Sequence, residues 1–428
     1  MLAHTGRWLV VVSVTATMVT PVAGCRSTPK SPTPAAATLT IGLMAPSSGP
    51  DAAAGRQAAQ GAQLAAEVVN EVNTDLPLPL AAAAGLRDGS RLAIAPVDTA
   101  GDVGDIPGKI GELAGPRHAV AVLVVDSAEV VSAATQQSEQ LQVPLLDAAT
   151  SADYLTELSR DWYFRLSPAD QAYAQTALQL LRQVQTTVPA LHRVALLEGA
   201  SVAGASAGTE AKSLFEGAGY EVVLRRPVAP PGPGMADLRG QVALARPDVV
   251  FAIAGTAQEA AAVADFNDQQ HGAVPVVALG RGVAALPVSS LPAQSPGVLR
   301  IVSWSSDLAH RTPLARSVGD LYQRRFGTAM TDLAASAFTA VLTLAAAADA
   351  ASAPAAGEAS PARIRAALRQ LRLAATALIM PWNGVRFAAN GQNDLASGVV
   401  EQQLAGGFQV VFPRELAAAA IGWPGVGT

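Results

Sequence analysis

The chain has 428 residues, half of them apolar, 15% charged and 4% aromatic, with 29 basic and 34 acidic side chains and one cysteine. That mild acidity argues against a nucleic-acid partner, which wants a basic face, and a lone cysteine excludes a disulfide framework or cysteine-built metal site. A chain this long can bury cores for two lobes without such staples.

At the N-terminus, His4 and Arg7 precede an apolar run from Trp8 to Val22 that closes on Val22–Ala23–Gly24–Cys25. A positive start, an apolar stretch and small residues at its end make a secretory signal of residues 1–24. Ser13, Thr15, Thr17 and Pro21 interrupt the run, which disfavours a spanning helix; an ordinary signal anchor is the alternative. Cys25 directly after the small residues resembles the lipobox of bacterial lipoproteins, which implies cleavage before it and lipidation on it. Loss of residues 1–24 removes one charge, Arg7, and moves the formal charge from −5 to −6. Residues 25–37 read as a Ser/Thr/Pro linker that holds a domain off a membrane. No later stretch is expected to be long and apolar enough to cross a bilayer.

From Thr38 onward strands and helices alternate. Thr38–Met44 predicts a strand and Ala45–Pro50 a turn; Leu64, Val68 and Val72 mark the buried stripe of a long helix. Arg91–Ala95, Ala119–Val125, Pro144–Asp147 and Tyr163–Leu166 predict strands, with helices after Gly104 and over Ala128–Leu141. Apolar runs such as Ala119–Val125 suit strands buried on both faces of a parallel sheet.

After Ser167–Asp170, a cap-like start, a helix over Gln171–Val184 opens a second series. Strands follow at Val194–Leu197, Tyr220–Leu224, Val249–Ala254 and Val274–Ala278, with a surface loop over Pro227–Gly234. Val298–Trp304 predicts a strand leading back toward the first lobe, and helices follow around 314–326, 333–350 and 362–373. Val385–Phe387 and Phe408–Phe412 predict a closing strand pair separated by the turn at Ala389–Gln392. The alternation implies right-handed βαβ units. The fold class is therefore α/β, a two-lobed clamshell. Each lobe is a doubly wound, mostly parallel sheet flanked by helices, joined by three hinge crossovers near Ser167, Trp304 and Asn390. Residues 38–166 with 304–388 fall to lobe one, 167–303 with 389–418 to lobe two, and 419–428 to a tail.

Ligands of open α/β sheets bind beyond the carboxyl ends of the strands. Asp126, Ser127, Ala149, Thr150 and Ser151 stand at such ends, offering hydroxyls and backbone N–H groups that suit a carboxylate. Ordinary helix capping uses the same residues, so both roles stay open.

The ordered series resembles a type I periplasmic binding protein of the branched-chain amino-acid (leucine/isoleucine/valine) group, the solute receptors of ABC importers. Ile41–Gly–Leu–Met–Ala–Pro–Ser–Ser–Gly–Pro50 is similar to the opening strand and "P-x-x-G-P" loop, and Gly61–Asn70 to the first helix. Val143–Pro–Leu with Ala149–Thr–Ser151 is similar to the "V-P…A-T-S" ligand loop. Phe164–Pro168, Pro247–Phe251 and Val385–Gln392 complete a match over residues 38–415. The resemblance implies a lipid-anchored receptor at the outer face of the bacterial cytoplasmic membrane that delivers a small polar ligand (amino acid, amide or small organic acid or amine) to ABC permease subunits. It implies a monomer, with no cofactor and no metal. The ligand wall would comprise Ser47, Ser48, Asp51, Asp126, Ser127, Ala149, Thr150 and Ser151 from lobe one. Ser201, Thr256 and Arg281 would supply lobe two.

Three departures bear on the ligand. The resemblance leads one to expect Tyr after the first "G-P", where Asp51 stands, and Tyr–Gly where Ala203–Gly204 stands. It also leads one to expect an acid for the ligand ammonium in the segment that here reads Gly280–Arg281–Gly282. If Arg281 faces the cleft it would favour carboxylate or phosphate, while Asp51 and Asp126 could receive a cation; the other reading points Arg281 to solvent. Trp304, near a hinge, either stacks on a ligand ring or packs the hinge.

No catalytic constellation emerges. Gly204–Ala–Ser–Ala–Gly208 fits G-x-S-x-G, but a nucleophile elbow needs Ser206 on a sharp turn directly after a strand. The five histidines lack metal-ligand spacing. Two other readings stand beside transport: a ligand-sensing or partner-binding lipoprotein with a repurposed cleft, and a serine hydrolase using Ser206.

Overall fold

Strand β1 (Thr38–Ala45) is almost wholly buried because parallel neighbours flank it and helices cover both faces. This computed structural model describes residues 37–229, 232–271, 273–286, 298–352, 359–404 and 407–423. The expected signal of residues 1–24, Cys25, the linker as far as Ala36 and the tail beyond Trp423 lie outside the described residues.

The first sheet runs β2-β1-β3-β4-β5, parallel throughout, with β2 (Arg91–Asp98), β3 (Ala119–Val124), β4 (Leu145–Asp147) and β5 (Tyr163–Arg165). Helices α1 (Ala52–Asn70), α2 (Ile106–Ala114), α3 (Ala128–Leu141) and the short α4 (Tyr154–Glu157) connect these strands. Val72 does not belong to the buried stripe of α1. The helix ends at Asn70, and Val72 is 61% exposed.

The second sheet begins after the first crossover, with α5 (Asp170–Gln185) leading into β6 (Arg193–Glu198). Then come α6 (Val202–Gly217), β7 (Glu221–Pro227), α7 (Pro233–Ala245), β8 (Val249–Ile253), α8 (Ala257–Gln269), β9 (Val276–Leu279), the one-turn α9 (Arg281–Ala285) and β10 (Leu299–Val302). The chain returns to the first core as α10 (Pro313–Phe326), α11 (Asp332–Ala351), α12 (Pro361–Gln370) and the short pair β11 (Leu373–Ala374) and β12 (Gly384–Val385). It closes on β13 (Val399–Leu404) and β14 (Gly407–Phe412), which extend the second sheet to the order β14-β13-β10-β9-β8-β6-β7.

Two further expectations change. Phe408–Phe412 pairs with β13, antiparallel, and not with Val385–Phe387. The α11 helix is long and apolar enough to cross a membrane, contrary to the sequence reading, yet 83% of its most apolar window is buried in the protein. It is the central core helix of lobe one. Its small residues let α1 approach so closely that a Cβ on Gly61 would lie 2.0 Å from the Ala334 carbonyl oxygen.

The crossovers are tied to one another. Arg165 N–H donates to Gly391 O (2.9 Å) and Asn393 N–H to Arg165 O (2.8 Å). The fully buried Arg165 side chain donates to Gln392 Oε1, and Gln392 Nε2 donates to Ser167 O (3.0 Å). At the remaining crossover the Tyr173 and Ser303 hydroxyls lie 2.6 Å apart, and Trp304 N–H donates to Asp332 Oδ1 at 2.6 Å. The Trp304 ring lies in the lobe-one core with its indole N–H on Ile379 O (3.1 Å). It packs the hinge and lines none of the cavity described below.

Candidate functional site

The lobe-one wall is shaped by two carboxylates at strand ends. Asp147 closes β4, fully buried, and accepts the N–H groups of Ala149 (2.9 Å) and Thr150 (3.1 Å) and the hydroxyls of Thr150 and Tyr163. Burial pushes its carboxyl above the ordinary range, against the Thr150 bonds that favour the ion. Two N–H groups expected to greet a ligand are thus bound inside the wall, and the Thr150 side chain holds the turn. Asp126 follows β3 and is 1% exposed, accepting the Thr99 hydroxyl and Ser127 N–H (2.6 Å); burial raises its carboxyl too. Ser127 caps α3 through Val130 N–H (3.3 Å).

Ser47 and Ser48 do not reach this wall. Both are exposed, and their N–H groups donate to Asp98 Oδ1 at 2.7 and 3.3 Å. The Ser48 hydroxyl, with those turn N–H groups, holds Asp98 well below the usual carboxylate range.

The lobe-two wall is built of helix starts. Ser201 caps α6 through Gly204 N–H (3.1 Å), and Thr256 with Glu259 forms a capping box on α8. Glu259 also accepts the N–H groups of Gly255 (2.9 Å) and Ala200 (3.1 Å), so it fills a niche that could otherwise take an anion.

Gly280 and Gly282 bring the β9–α9 turn against the β8–α8 loop. Gly280 has φ +119°, and a Cβ there would sit 2.2 Å from Ala254 O; one on Gly282 would sit 2.0 Å from Thr256 O. This close approach turns Arg281 inward, its side chain only 5% exposed, with Nη2 2.6 Å from Asp51 Oδ2 on the other lobe. Asp51 Oδ1 also accepts Ala257 N–H at 3.3 Å. The two residues considered as separate ligand contacts therefore hold each other across the cleft, and the solvent-facing alternative for Arg281 is excluded.

Between the walls lies a cavity of about 80 Å³, room for on the order of six water molecules. Of the residues singled out from sequence, Asp126, Ser127, Ala149, Thr150, Ser151, Ser201, Thr256 and Arg281 line it; Ser47, Ser48 and Asp51 do not. Ala203, Gly204 and Ala207 line the lobe-two side, so small residues occupy the place where the resemblance implied an aromatic ring. An adjoining recess of about 20 Å³ is shared through Ala149, Ser151, Gly280 and Arg281 and reaches Ser303 and Asp332. Asp332, at the start of α11, is pushed up to about 7 by burial.

Sequence reasoning missed two acidic lining residues, Glu129 and Asp170, each in the first turn of its helix. Asp170 looked like a cap, but Ala169 holds the cap position, and the first-turn N–H of Gln171 is taken by Asp153 Oδ2 at 3.1 Å. Asp170 is 4% exposed and burial pushes it up to about 6. Its Oδ2, Glu129 Oε1 and Arg281 Nε are buried without a hydrogen-bond partner among the described residues. Ser206, by contrast, lies within α6, several residues past the strand end at Glu198, and lacks the strand-to-turn setting of a nucleophile elbow.

A family model described as "Periplasmic binding protein" matches residues 38–407. Among solved structures, the chain is similar to an ABC transporter substrate-binding protein from Desulfitobacterium hafniense in complex with Leu. The identity is 19% over 87% of this chain and 99% of that one, with a TM-score of 0.69. It is also similar to the branched-chain amino acid transporter substrate-binding protein LivJ of Streptococcus pneumoniae in complex with isoleucine (20% identity, 88% and 100% coverage, TM-score 0.70). A solute-binding protein of an ABC transporter from R. palustris in complex with benzoate matches at 18% identity, 91% and 100% coverage and a TM-score of 0.69. At such identities the likeness carries the fold. No curated protein matches the sequence.

Proposed function

The chain belongs to the periplasmic binding protein family, and on that premise we propose that it is a receptor that closes two lobes over one small polar solute and delivers it to an ABC importer. One observation carries the reading: the cavity is lined from both lobes and holds buried polar atoms that no group among the described residues satisfies. Buried polar groups are normally paired, and a site left unpaired awaits a partner. Its volume of about 80 Å³, room for only a few waters, favours a small solute over a peptide or sugar chain. Glu129, Asp170 and Arg281, whose side chains keep an unpaired buried atom among the described residues, with Ser127 and Ser151 beside them, are the side chains best placed to meet such a solute. The resemblance to a lipobox supports attachment to the cell envelope through lipid on Cys25.

A thermal-shift screen of amino acids, amides, amines and small organic acids tests the receptor function, because a ligand that binds only the folded state raises its melting temperature. One class should raise it, and silence across all classes would refute the reading. Palmitate labelling in cells tests the anchor, which Cys25→Ser should abolish.

A further inference from the structure

We infer that the solute carries a cationic amine, and that this amine seats on lobe one between Glu129 and Asp170. The inference rests on the receptor reading above and names the chemistry of its ligand.

Two carboxylate oxygens, Glu129 Oε1 and Asp170 Oδ2, approach one cavity from two different helices, and both are buried with no hydrogen-bond donor among the described residues. An ionised carboxylate out of water needs a cation or several donors. The protein supplies Asp170 little. Ser151 through its side chain and Asp153 through its backbone bond the carboxyl, and Oδ2 stays unpaired among the described residues. From β5, Arg165 is engaged by Asp153, Ala152 O and Gln392, and Asp153 itself adds like charge. From α4, Tyr154 keeps its proton, pushed up to about 12 by burial and by Glu129 and Asp170 nearby. From lobe two, Arg281 is engaged by Asp51.

The charge balance has the same sign. Three carboxylates line the cavity (Asp126, Glu129 and Asp170), against one guanidinium already paired by Asp51 from outside it. The helix starts of α3 and α5, which would otherwise welcome an anion, already carry Glu129 and Asp170 in their first turns. A carboxylate-only solute would meet repulsion there, whereas an ammonium supplies up to three donors to the two orphaned oxygens. Arg281 Nε leaves one donor over for an acceptor elsewhere on the same solute.

The test is calorimetric titration of the purified full-length protein with matched probes: butylamine against butanoate, benzylamine against benzoate, agmatine against glutarate, and leucine. Expected is binding by amine-bearing probes alone, weakened at least tenfold by Asp170→Asn and by Glu129→Gln. Asp170→Asn should melt no lower than the parent, since it keeps the side chain's size and removes a charge that burial disfavours; should it fail to fold, Glu129→Gln carries the test. Amine binding should also weaken between pH 7.5 and pH 5, as Asp170 takes up its proton near 6. Binding of a carboxylate probe, or of an amine indifferent to both substitutions, would overturn the inference and leave the receptor standing. Silence from every probe would remove both.

Discussion

Cutting the Asp51–Arg281 ion pair should let the cleft open. Exposed pairs contribute at most about 1 kcal/mol, while breaking a buried pair costs about 3–5 kcal/mol. Here the side chains are 5% and 23% exposed with 2.6 Å between N and O, so the coupling should fall between those limits, at about 2 kcal/mol. That corresponds to a shift of about 30-fold in the ratio of closed to open forms. Asp51→Asn is the cleaner perturbation, because Arg281 lines the cavity and Asp51 does not. Ala257 N–H, which donates to Asp51 across the cleft, offers a local readout. In ligand-free Asp51→Asn its hydrogen-exchange protection should fall by about 30-fold, and solution scattering should show a larger radius of gyration. A solute that binds the closed form should lose apparent affinity in proportion to the closed population. Arg281→Gln and the double variant complete the cycle. An unchanged scattering profile together with a coupling below about 0.3 kcal/mol, the range in which independent sites add, would refute the latch.

Three further outcomes follow from the geometry. Gly280→Ala places a Cβ 2.2 Å from Ala254 O at φ +119° and should cost at least about 2 kcal/mol in urea unfolding while displacing Arg281; an unchanged midpoint would contradict the close approach. Thr150→Val deprives the buried Asp147 of a hydroxyl donor and should destabilise by about 1–3 kcal/mol with less than a threefold change in solute affinity; the reverse pattern would return Thr150 to the ligand wall. Asp332 has a folded value raised from 3.8 to about 7, so the fold favours its neutral form. Its stabilising effect is complete below about 4 and is lost as pH rises toward 7, by at most about 4 kcal/mol. Asp332→Asn should flatten that fall in melts between pH 4 and pH 8, and an unaltered slope would show that another group titrates there.

The fold was legible because most of its strands are continuous apolar runs, and α3 begins and ends where the pattern put it. Strand β13 escaped notice for a physical reason. Its centre is Glu401 and Gln402, buried because Glu401 pairs with Arg300 and Gln402 bonds both ways with Gly422, and such polar residues break an apolar run. Val72 erred the other way, since periodicity carries no mark of where a helix stops. At the site, the strand-end residues were legible as a set because topology gathers loops at one sheet edge. Their division of labour was not: whether Thr150 turns to a ligand or to Asp147 depends on a turn geometry that its spacing does not encode. The partnership of Asp51 and Arg281 joins residues 230 positions apart, and no local pattern announces it. One signal was available, since glycines on both sides of Arg281 mark a close backbone approach.

The departures from the family pattern read as one change once the pair is seen. Asp51 replaces an expected tyrosine, and Arg281 stands where an acid for the ligand ammonium was expected. Taken singly, the first adds a stray carboxylate at the cleft and the second repels the usual ligand. Together they neutralise each other across the lobes at 2.6 Å. The exchange removes the lobe-two acid from ligand duty and turns that position into a closure contact. An amine entering this cleft then finds its counter-charge on the opposite wall, where Glu129 and Asp170 hold oxygens unpaired among the described residues. Closure and charge recognition, which one acid on lobe two could serve together, are here divided between two sets of residues. The closed form accordingly draws on contacts that the solute does not make, and lobe one can hold the solute's charge before the lobes meet.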